Sequence, residues 1–227
     1  MRTYCINCLD RTDRYTQAKK ELIDNGFNNV NWIRNKKNKI GHKGCFLSHL
    51  DCYIDFLKSK DEKCIIFEDD FKFINKSKNN KNNIVNIINS NSNFDILYLG
   101  YLHFNSFTPK NNNNPLFIKG FFLLAHSYVI SRKTAKTIIN YYNNKYSKKI
   151  VPVHIDVLLN SQKLNTYGLK KRLCIQRRSK SSNKWGAGME KITMSKNYEK
   201  NQLNNKNPFS NIFLTLILNT YASILKI

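Results

Sequence analysis

Short apolar runs that alternate with segments of helical periodicity limit the fold of this chain more than any other feature. Residues 3–9, 64–67 ("CIIF") and 94–100 ("FDILYLG") are apolar runs that end in charged residues or in glycine. The segment 43–57, between the first two runs, carries apolar side chains at helical spacing. Buried strands separated by helices are typical of an α/β domain with a largely parallel sheet. We therefore predict a single α/β domain with a mixed, mostly parallel sheet flanked by helices.

Local signals place the ends of two further helices. Thr12 or Asp13 is predicted to cap a helix that ends before Gly26, and Ser131 is predicted to cap a helix after the apolar run that begins at Phe121. We also predict a second strand at residues 30–34 and an irregular asparagine-rich insertion at 101–120. A short helix at 154–162 and a last strand at 172–176 complete the prediction.

The formal net charge of +23 is high for a chain of 227 residues, a length that suits one sizeable domain. Such a charge attracts anionic partners, namely nucleic acid, an acidic membrane face or a phosphorylated substrate. Coding drift in an AT-rich genome also enriches lysine and asparagine. Because the lysines are spread along the chain, both interpretations remain open.

The six cysteines predict buried thiols and not a disulfide framework, because most of them lie inside apolar runs. Cys5 and Cys8 form a C-x-x-C, but residues three apart on a strand face opposite sides, and no second pair completes a zinc site. No charged leader precedes a long apolar run at the N-terminus, so we predict no signal peptide and a cytoplasmic, reducing location.

Three consecutive carboxylates, Glu68, Asp69 and Asp70, follow the apolar run 64–67. Ligands of open α/β sheets bind at the carboxyl ends of strands, and adjacent carboxylates there need a cation or basic side chains. In an extended chain Glu68 and Asp70 share one face and Asp69 points the other way. Carboxylate oxygens suit Mg²⁺ or Mn²⁺. The alternative is an acidic turn paired with Lys72.

Two weaker candidate sites lie elsewhere in the chain. His154 and Asp156 are two apart, although a histidine is often structural and an aspartate near a helix start is often a cap. Residues 41–44 ("GHKG") place two glycines before a predicted helix that carries Ser48 and His49, and such glycines can admit a phosphate. The alternative interpretation of these residues is a plain loop before a core helix.

Taken in order, these stretches resemble glycosyltransferase family 25, the family of lipooligosaccharide glycosyltransferases and procollagen galactosyltransferases. The similar stretches are "INCLDRTDRY", "GCFLSH", "IIFEDD", "FDILYLG", "AHSYVISRKTAKTII" and "HIDVLL", followed by Gln176, within residues 3–180. The chain departs from the family pattern at Cys8, which is extra or shifts the first motif, at Thr12 in place of the usual proline, and at Lys133 and Thr134 in place of a small glycine.

The resemblance implies a GT-A (Rossmann-like) fold, a UDP-hexose donor, Mn²⁺ or Mg²⁺, and inversion at the anomeric carbon. It implies galactose or glucose as the hexose, and a glycan or a hydroxylysine of a protein as the acceptor. By the same resemblance Asp70 and Glu68 are the metal ligands, with Glu68 also nearer the ribose or sugar. The other residues it implicates are Asn7, Asp10, Arg11, Arg14 and Asp69 in nucleotide-sugar binding, and Ser48, His49 and Gln176 near the acceptor or in support of the site.

An inverting displacement also needs a base that deprotonates the acceptor hydroxyl. Asp156 is our hypothesis for that base, with His154 as the alternative base or as a further metal ligand. Arg177, Arg178 and Lys180 could close over the diphosphate, although a solvated basic linker explains them as well.

Beyond the transferase domain at residues 1–180 we predict a basic loop or linker at 181–208 and an apolar helix at 209–227. The helix is about 16 residues long from Ile212, shorter than the roughly 20 needed to span a bilayer. It fits a core or homodimer-interface helix, and a peripheral membrane helix is the alternative.

Two rival functions are a metal-dependent nuclease, since Asp70 and Lys72 form a D-x-K, and a non-catalytic sugar- or polyanion-binding module. Basic patches interleaved with aromatics are not evident, which disfavours nucleic acid.

Overall fold

The computed structural model describes residues 1–90, 93–103, 114–146, 155, 158–159 and 164–177. Nine strands and four helices lie within this part of the chain. The helices are α1 (Thr12–Asp24), α2 (Gly41–Leu57), α3 (Asn80–Ser90) and α4 (Arg132–Tyr146). The strands are β1 (Thr3–Cys8), β2 (Asn31–Asn35), β3 (Lys63–Glu68), β4 (Phe71–Phe73), β5 (Ile96–His103), β6 (Phe117–Lys119), β7 (Phe122–Ser131), β8 (Thr166–Leu169) and β9 (Cys174–Gln176).

The main sheet has seven strands in the order β2-β1-β3-β7-β5-β8-β6. Strands β1, β2, β3, β5 and β8 run in one direction, and β6 and β7 run against them. The prediction of a mixed, mostly parallel sheet is therefore confirmed. Because β2, β1 and β3 are parallel neighbours, their carboxyl ends lie along one edge of the sheet.

Helices cover both faces of this sheet. The side chains of a strand point alternately to opposite faces, so Tyr4 packs in the same core cluster as Phe46 of α2. Its neighbour Cys5 packs with Ala18 and Leu22 of α1 in the other cluster. The last residues of β1 and β3 follow the same alternation. The face to which each of these side chains points therefore determines which helix it contacts.

The two predicted helix caps have different outcomes. Ser131 is confirmed as the cap of α4, since its Oγ accepts the N–H of Thr134 at 3.2 Å. The predicted cap of α1 is wrong, because Arg11 occupies the N-cap position without a side-chain cap. Asp13 instead lies in the first turn, where its carboxylate accepts hydrogen bonds from the Arg11 guanidinium at 2.8 and 2.9 Å.

The predicted glycine loop before α2 is also wrong, because α2 begins at Gly41 and contains Gly44. Glycine costs about 1 kcal/mol in a helix interior, but burial of the large side chains of this helix outweighs that cost. A Cβ on Gly44 would lie 2.8 Å from the Cβ of Asn38, so glycine lets the preceding loop pack closely on the first turn.

Three short strands, β4, β6 and β8, escaped the sequence prediction. β6 lies inside the segment expected to be irregular, and it pairs with β8 at the edge of the main sheet. β4 pairs with the predicted last strand β9 in a separate two-stranded sheet. Runs of three or four residues carry too little periodicity to be recognised, and pairing with distant strands creates them.

Several predictions fall outside the described residues. They are the short helix at 154–162 apart from three buried positions, the basic segment 181–208 and the apolar helix 209–227. Within the described part of the chain, no helix has the length and apolar content that a bilayer span requires. The prediction of unbridged thiols is confirmed for all six cysteines, four of which are buried.

Candidate active site

The carboxyl ends of β1 and β3 bring together the two motifs that the sequence analysis singled out. The two strands are parallel neighbours in which Ile6 is paired with Glu68. Asn7 therefore lies beside the turn that contains Asp69 and Asp70. Arg14 reaches the same place from the first turns of α1.

Arg14 and Asp69 form the centre of a buried polar cluster. The Arg14 guanidinium donates to Asp69 Oδ1 at 3.0 Å and to Asp70 Oδ2 at 3.4 Å. Asn7 Nδ2 donates to the other oxygen of Asp69 at 2.7 Å. The Arg14 side chain is only 6% exposed, and those of Asp69 and Asp70 are 9% and 12% exposed. One guanidinium is thus shared by two carboxylates with little help from water.

Within the described part of the chain, one carboxylate oxygen of Asp70 is hydrogen-bonded, and the other is not. Its Oδ2 accepts from Gln176 Nε2 at 3.1 Å, and its backbone carbonyl accepts from the N–H of Arg177 at 2.6 Å. Its Oδ1 is buried and has no hydrogen-bond partner among the described residues. A buried carboxylate oxygen without a partner is costly, and it is a ready ligand for a hard divalent cation. The residues present therefore fit the metal that the family resemblance implies.

Burial sets the charge state of these carboxylates. Burial raises the pKa of Asp69, while the charge of Arg14 and the hydrogen bond from Asn7 act in the opposite direction. Burial likewise raises the pKa of Asp70 to about 7, and the negative charges of Glu68 and Asp69 add to the rise. A cation that binds Asp70 near neutral pH must compete with a proton.

Glu68 and Asp70 do not share a face, contrary to the expectation from an extended chain. β3 ends at Glu68, and Asp69 and Asp70 lie in a turn, where alternation no longer applies. Both aspartates consequently face Arg14 of α1, whereas Glu68 faces α2. The nearest partners of Glu68 are the side chains of His49 and Cys45.

A chain of buried hydrogen bonds extends from Glu68 into the core. Glu68 Oε1 lies 3.0 Å from His49 Nε2, and His49 Nδ1 lies 2.7 Å from the Tyr128 hydroxyl. The Tyr128 hydroxyl is in turn 2.6 Å from that of Tyr53. Burial acts to raise the pKa of Glu68, but the hydrogen bond and charge of His49 outweigh it, and the pKa lies below its usual value. Glu68 is therefore a fixed, ionised carboxylate.

Arg34 belongs to the site but was not predicted. Its Nε donates to Asn7 Oδ1 at 3.1 Å, and its guanidinium lies 4.2 Å from the ring centre of Tyr15. Tyr15 packs edge-on against Trp32 at 4.5 Å between ring centres. Arg34 is the last residue of a predicted strand, and Asn7 lies close to the end of another, so this position in the strand was the available signal.

The remaining predicted residues divide into three groups. Asp10 is exposed in the turn after β1, and Arg11 faces Asp13. Ser48 accepts from Asn35 Nδ2 at 3.0 Å and donates to the Gly44 carbonyl, so it ties β2 to α2. The predicted base and its alternative, together with two of the three basic residues expected over the diphosphate, lie outside the described residues: Asp156, His154, Arg178 and Lys180.

Several solved structures are similar to this chain. A197 from STIV has a TM-score of 0.44 and 16% identity, over 74% of this chain and 82% of that chain. A glycosyltransferase involved in glycosylation of the major capsid of PBCV-1 has a TM-score of 0.41 and 12% identity, over 70% and 75% of the chains. The galactosyltransferase LgtC in complex with donor and acceptor sugar analogues has a TM-score of 0.43 and 7% identity, over 74% and 73%.

No curated protein matches the sequence. The family model described as glycosyltransferase family 25 (LPS biosynthesis protein) matches residues 9–159, which is more than half of the chain. The match begins directly after β1, and it includes α1, α2 and the end of β3 with Asp69 and Asp70. On that basis the chain belongs to glycosyltransferase family 25.

Proposed function

We propose that this glycosyltransferase moves a hexose from a UDP-sugar to a hydroxyl acceptor, with inversion and with the help of a divalent cation. The observation that carries the proposal is the cluster at the ends of β1 and β3. There Arg14 pairs with both Asp69 and Asp70, while the buried Asp70 Oδ1 has no hydrogen-bond partner among the described residues. A site of this kind suits a diphosphate that arrives with a hard cation.

Each side chain of the cluster has a proposed task. Asp70 would hold the cation through Oδ1, and Gln176 and Arg14 fix its other oxygen. Asn7, held between Arg34 and Asp69, would bind the nucleotide. A bound Mn²⁺ or Mg²⁺ would stabilise the negative charge that develops on the departing diphosphate.

Glu68 is proposed to contact the ribose or the sugar. Its Oε1 is engaged by His49, and its side chain is 21% exposed, so the carboxylate is rigid yet accessible. A fixed ionised carboxylate can accept hydrogen bonds from sugar hydroxyls without reorganisation. Arg11 and Asp10, at the mouth of the site, are proposed to contact the nucleotide.

Asp156 is proposed as the base that takes the proton of the acceptor hydroxyl, with His154 as the alternative. General-base catalysis contributes about 10²- to 10⁴-fold to a rate. We expect Asp156→Asn to lower the rate of transfer by that factor without weakening UDP binding. Near-normal transfer by this variant would remove Asp156 from the mechanism.

A thermal-shift titration with UDP and Mn²⁺, followed by a panel of UDP-hexoses, tests the proposal. UDP and Mn²⁺ together should raise the melting temperature of the wild type, and one of UDP-galactose or UDP-glucose should be consumed. Asp70→Asn should abolish the Mn²⁺-dependent part of the shift. Asp24→Asn is the matched control, because Asp24 lies at the far end of α1 and pairs with Lys20.

The same titration and an assay of DNA cleavage test the rival functions. Absence of any stabilisation by UDP and Mn²⁺ would contradict the proposed donor. Cleavage of DNA with a steep dependence on salt would favour the nuclease. A glycan and a hydroxylysine peptide, offered with the donor that is consumed, then identify the acceptor class.

A further inference from the structure

Cys45, His49 and Glu68 bring three different metal-ligating groups to one point. Cys45 and His49 are four residues apart on α2, so their side chains lie on the same face of the helix. That face is turned to the end of β3, where Glu68 is the last residue of the strand. The three ligand atoms lie within 4.8 Å of one another.

The distances are close to those of ligand atoms around one tetrahedral ion. Glu68 Oε1 is 3.0 Å from His49 Nε2 and 3.4 Å from Cys45 Sγ. Zinc binds nitrogen and oxygen ligands at about 2.0–2.2 Å and sulfur at about 2.3 Å, which separates neighbouring ligand atoms by roughly 3–4 Å. The three atoms thus need only small shifts to surround an ion.

The second nitrogen of His49 is already held as it is in metal sites. Its Nδ1 lies 2.7 Å from the Tyr128 hydroxyl, and its ring is fully buried. Histidine ligands commonly donate their other N–H to an oxygen, which fixes the ring and the tautomer. Tyr128 is itself fixed by Tyr53 at 2.6 Å, so the ring presents Nε2 to Glu68 with little freedom.

We propose that Cys45 Sγ, His49 Nε2 and Glu68 Oε1 form a site for a thiophilic divalent cation of the zinc class. Thiolate and imidazole ligands select zinc-like ions, whereas Mg²⁺ and Mn²⁺ prefer oxygen ligands alone. This site is distinct from the oxygen ligand proposed on Asp70, whose carboxylate faces Arg14 of α1. Cys45 and Glu68 are both partly exposed, so a fourth position is open to water or to a substrate oxygen.

Occupation of this site rearranges two protons. The Cys45 thiol, which now points at Glu68 Oε1, loses its proton to solvent when the sulfur binds the ion. His49 Nε2, which is hydrogen-bonded to the Glu68 carboxylate in the metal-free protein, also releases its proton to solvent and becomes the ligand, while the N–H of Nδ1 donates a hydrogen bond to the Tyr128 oxygen. The Tyr128 hydroxyl then donates to Tyr53, so no buried group in this chain of hydrogen bonds is left without a partner.

Cobalt(II) is the probe, because a thiolate ligand produces a near-ultraviolet charge-transfer band and a tetrahedral site produces strong visible bands. The full chain, freed of metal, is titrated with Co²⁺ in the presence of excess Mg²⁺. We expect both sets of bands in the wild type and their loss on addition of Zn²⁺. Cys8→Ser is the matched control, since Cys8 is the other partly exposed cysteine, and it should keep both bands.

Cys45→Ser should remove the charge-transfer band. Tyr128→Phe should keep the band but weaken Co²⁺ binding by about 10- to 100-fold, because the orientation of His49 is lost. Circular dichroism reports whether each variant folds. If a variant does not fold, Glu68→Gln, which keeps the cysteine and histidine ligands, is used in its place. Absence of the band in the wild type, or its survival in Cys45→Ser, would overturn the proposal. UDP binding is measured separately, so this result is independent of the proposed transfer reaction.

Discussion

Arg14 is the side chain whose loss should disturb the candidate site most. Its guanidinium contacts two buried carboxylates, and none of the three side chains is more than 12% exposed. Breaking a buried ion pair by removal of one partner costs about 3–5 kcal/mol, because an uncompensated charge remains in the interior. Arg14→Met keeps most of the volume of the side chain and removes the charge. We expect it to lower the free energy of unfolding by that amount at about pH 8.

The dependence of this loss on pH follows from the carboxyl pKa values. Without Arg14, the pKa values of Asp69 and Asp70 rise further above those of the unfolded chain, so folding favours the protonated forms. The unfolded chain then loses protons more readily as the pH rises, and the stability of the variant falls. Each carboxyl group contributes at most about 1.4 kcal/mol per pH unit. The deficit should therefore be smaller at about pH 5 than at about pH 8.

Urea denaturation followed by circular dichroism measures this deficit. Arg11→Met is the matched control, because Arg11 pairs with Asp13, which is 59% exposed, and such pairs contribute no more than about 1 kcal/mol. Replacement of both aspartates by asparagine in the Arg14→Met background should recover most of the loss. Equal deficits in the two arginine variants, or no recovery in the triple variant, would refute the reasoning.

Three further predictions concern stability. Ser131→Ala should lower the free energy of unfolding in urea by about 1 kcal/mol, because α4 loses its cap, and no loss would contradict that role. Gly100→Ala should lower it by about 1–3 kcal/mol, because the new Cβ meets the Cys174 carbonyl oxygen and His126 Nε2; an unchanged midpoint would count against this packing. Burial lowers the pKa of His126 to about 4, so the unfolded chain takes up a proton first as the pH falls from about 6.5. Between about pH 6.5 and about pH 4, the free energy of unfolding should fall by about 3 kcal/mol more in the wild type than in His126→Asn. Parallel curves of stability against pH for the two proteins would contradict this.

Local pattern in the sequence determined the architecture and the location of the site. Alternating apolar runs and helical segments predicted the mixed, mostly parallel sheet, because each pattern is set by residues close in the chain. The positions of Asn7 and of residues 68–70 at strand ends placed them at one edge of that sheet. This part needed no tertiary information, since the carboxyl ends of neighbouring parallel strands coincide.

The tertiary structure decided which side chains meet. Arg14 pairs with Asp69 across 55 residues of sequence, and Cys45 reaches Glu68 across 23. The alternation of a strand predicted a shared face for Glu68 and Asp70, but the strand ends at Glu68 and the following turn sends the aspartates to α1. The C-x-x-C at Cys5 drew attention in the sequence, yet the cysteine beside the site is Cys45. Its position depends on how α2 docks on the sheet, which long-range packing determines and local pattern does not.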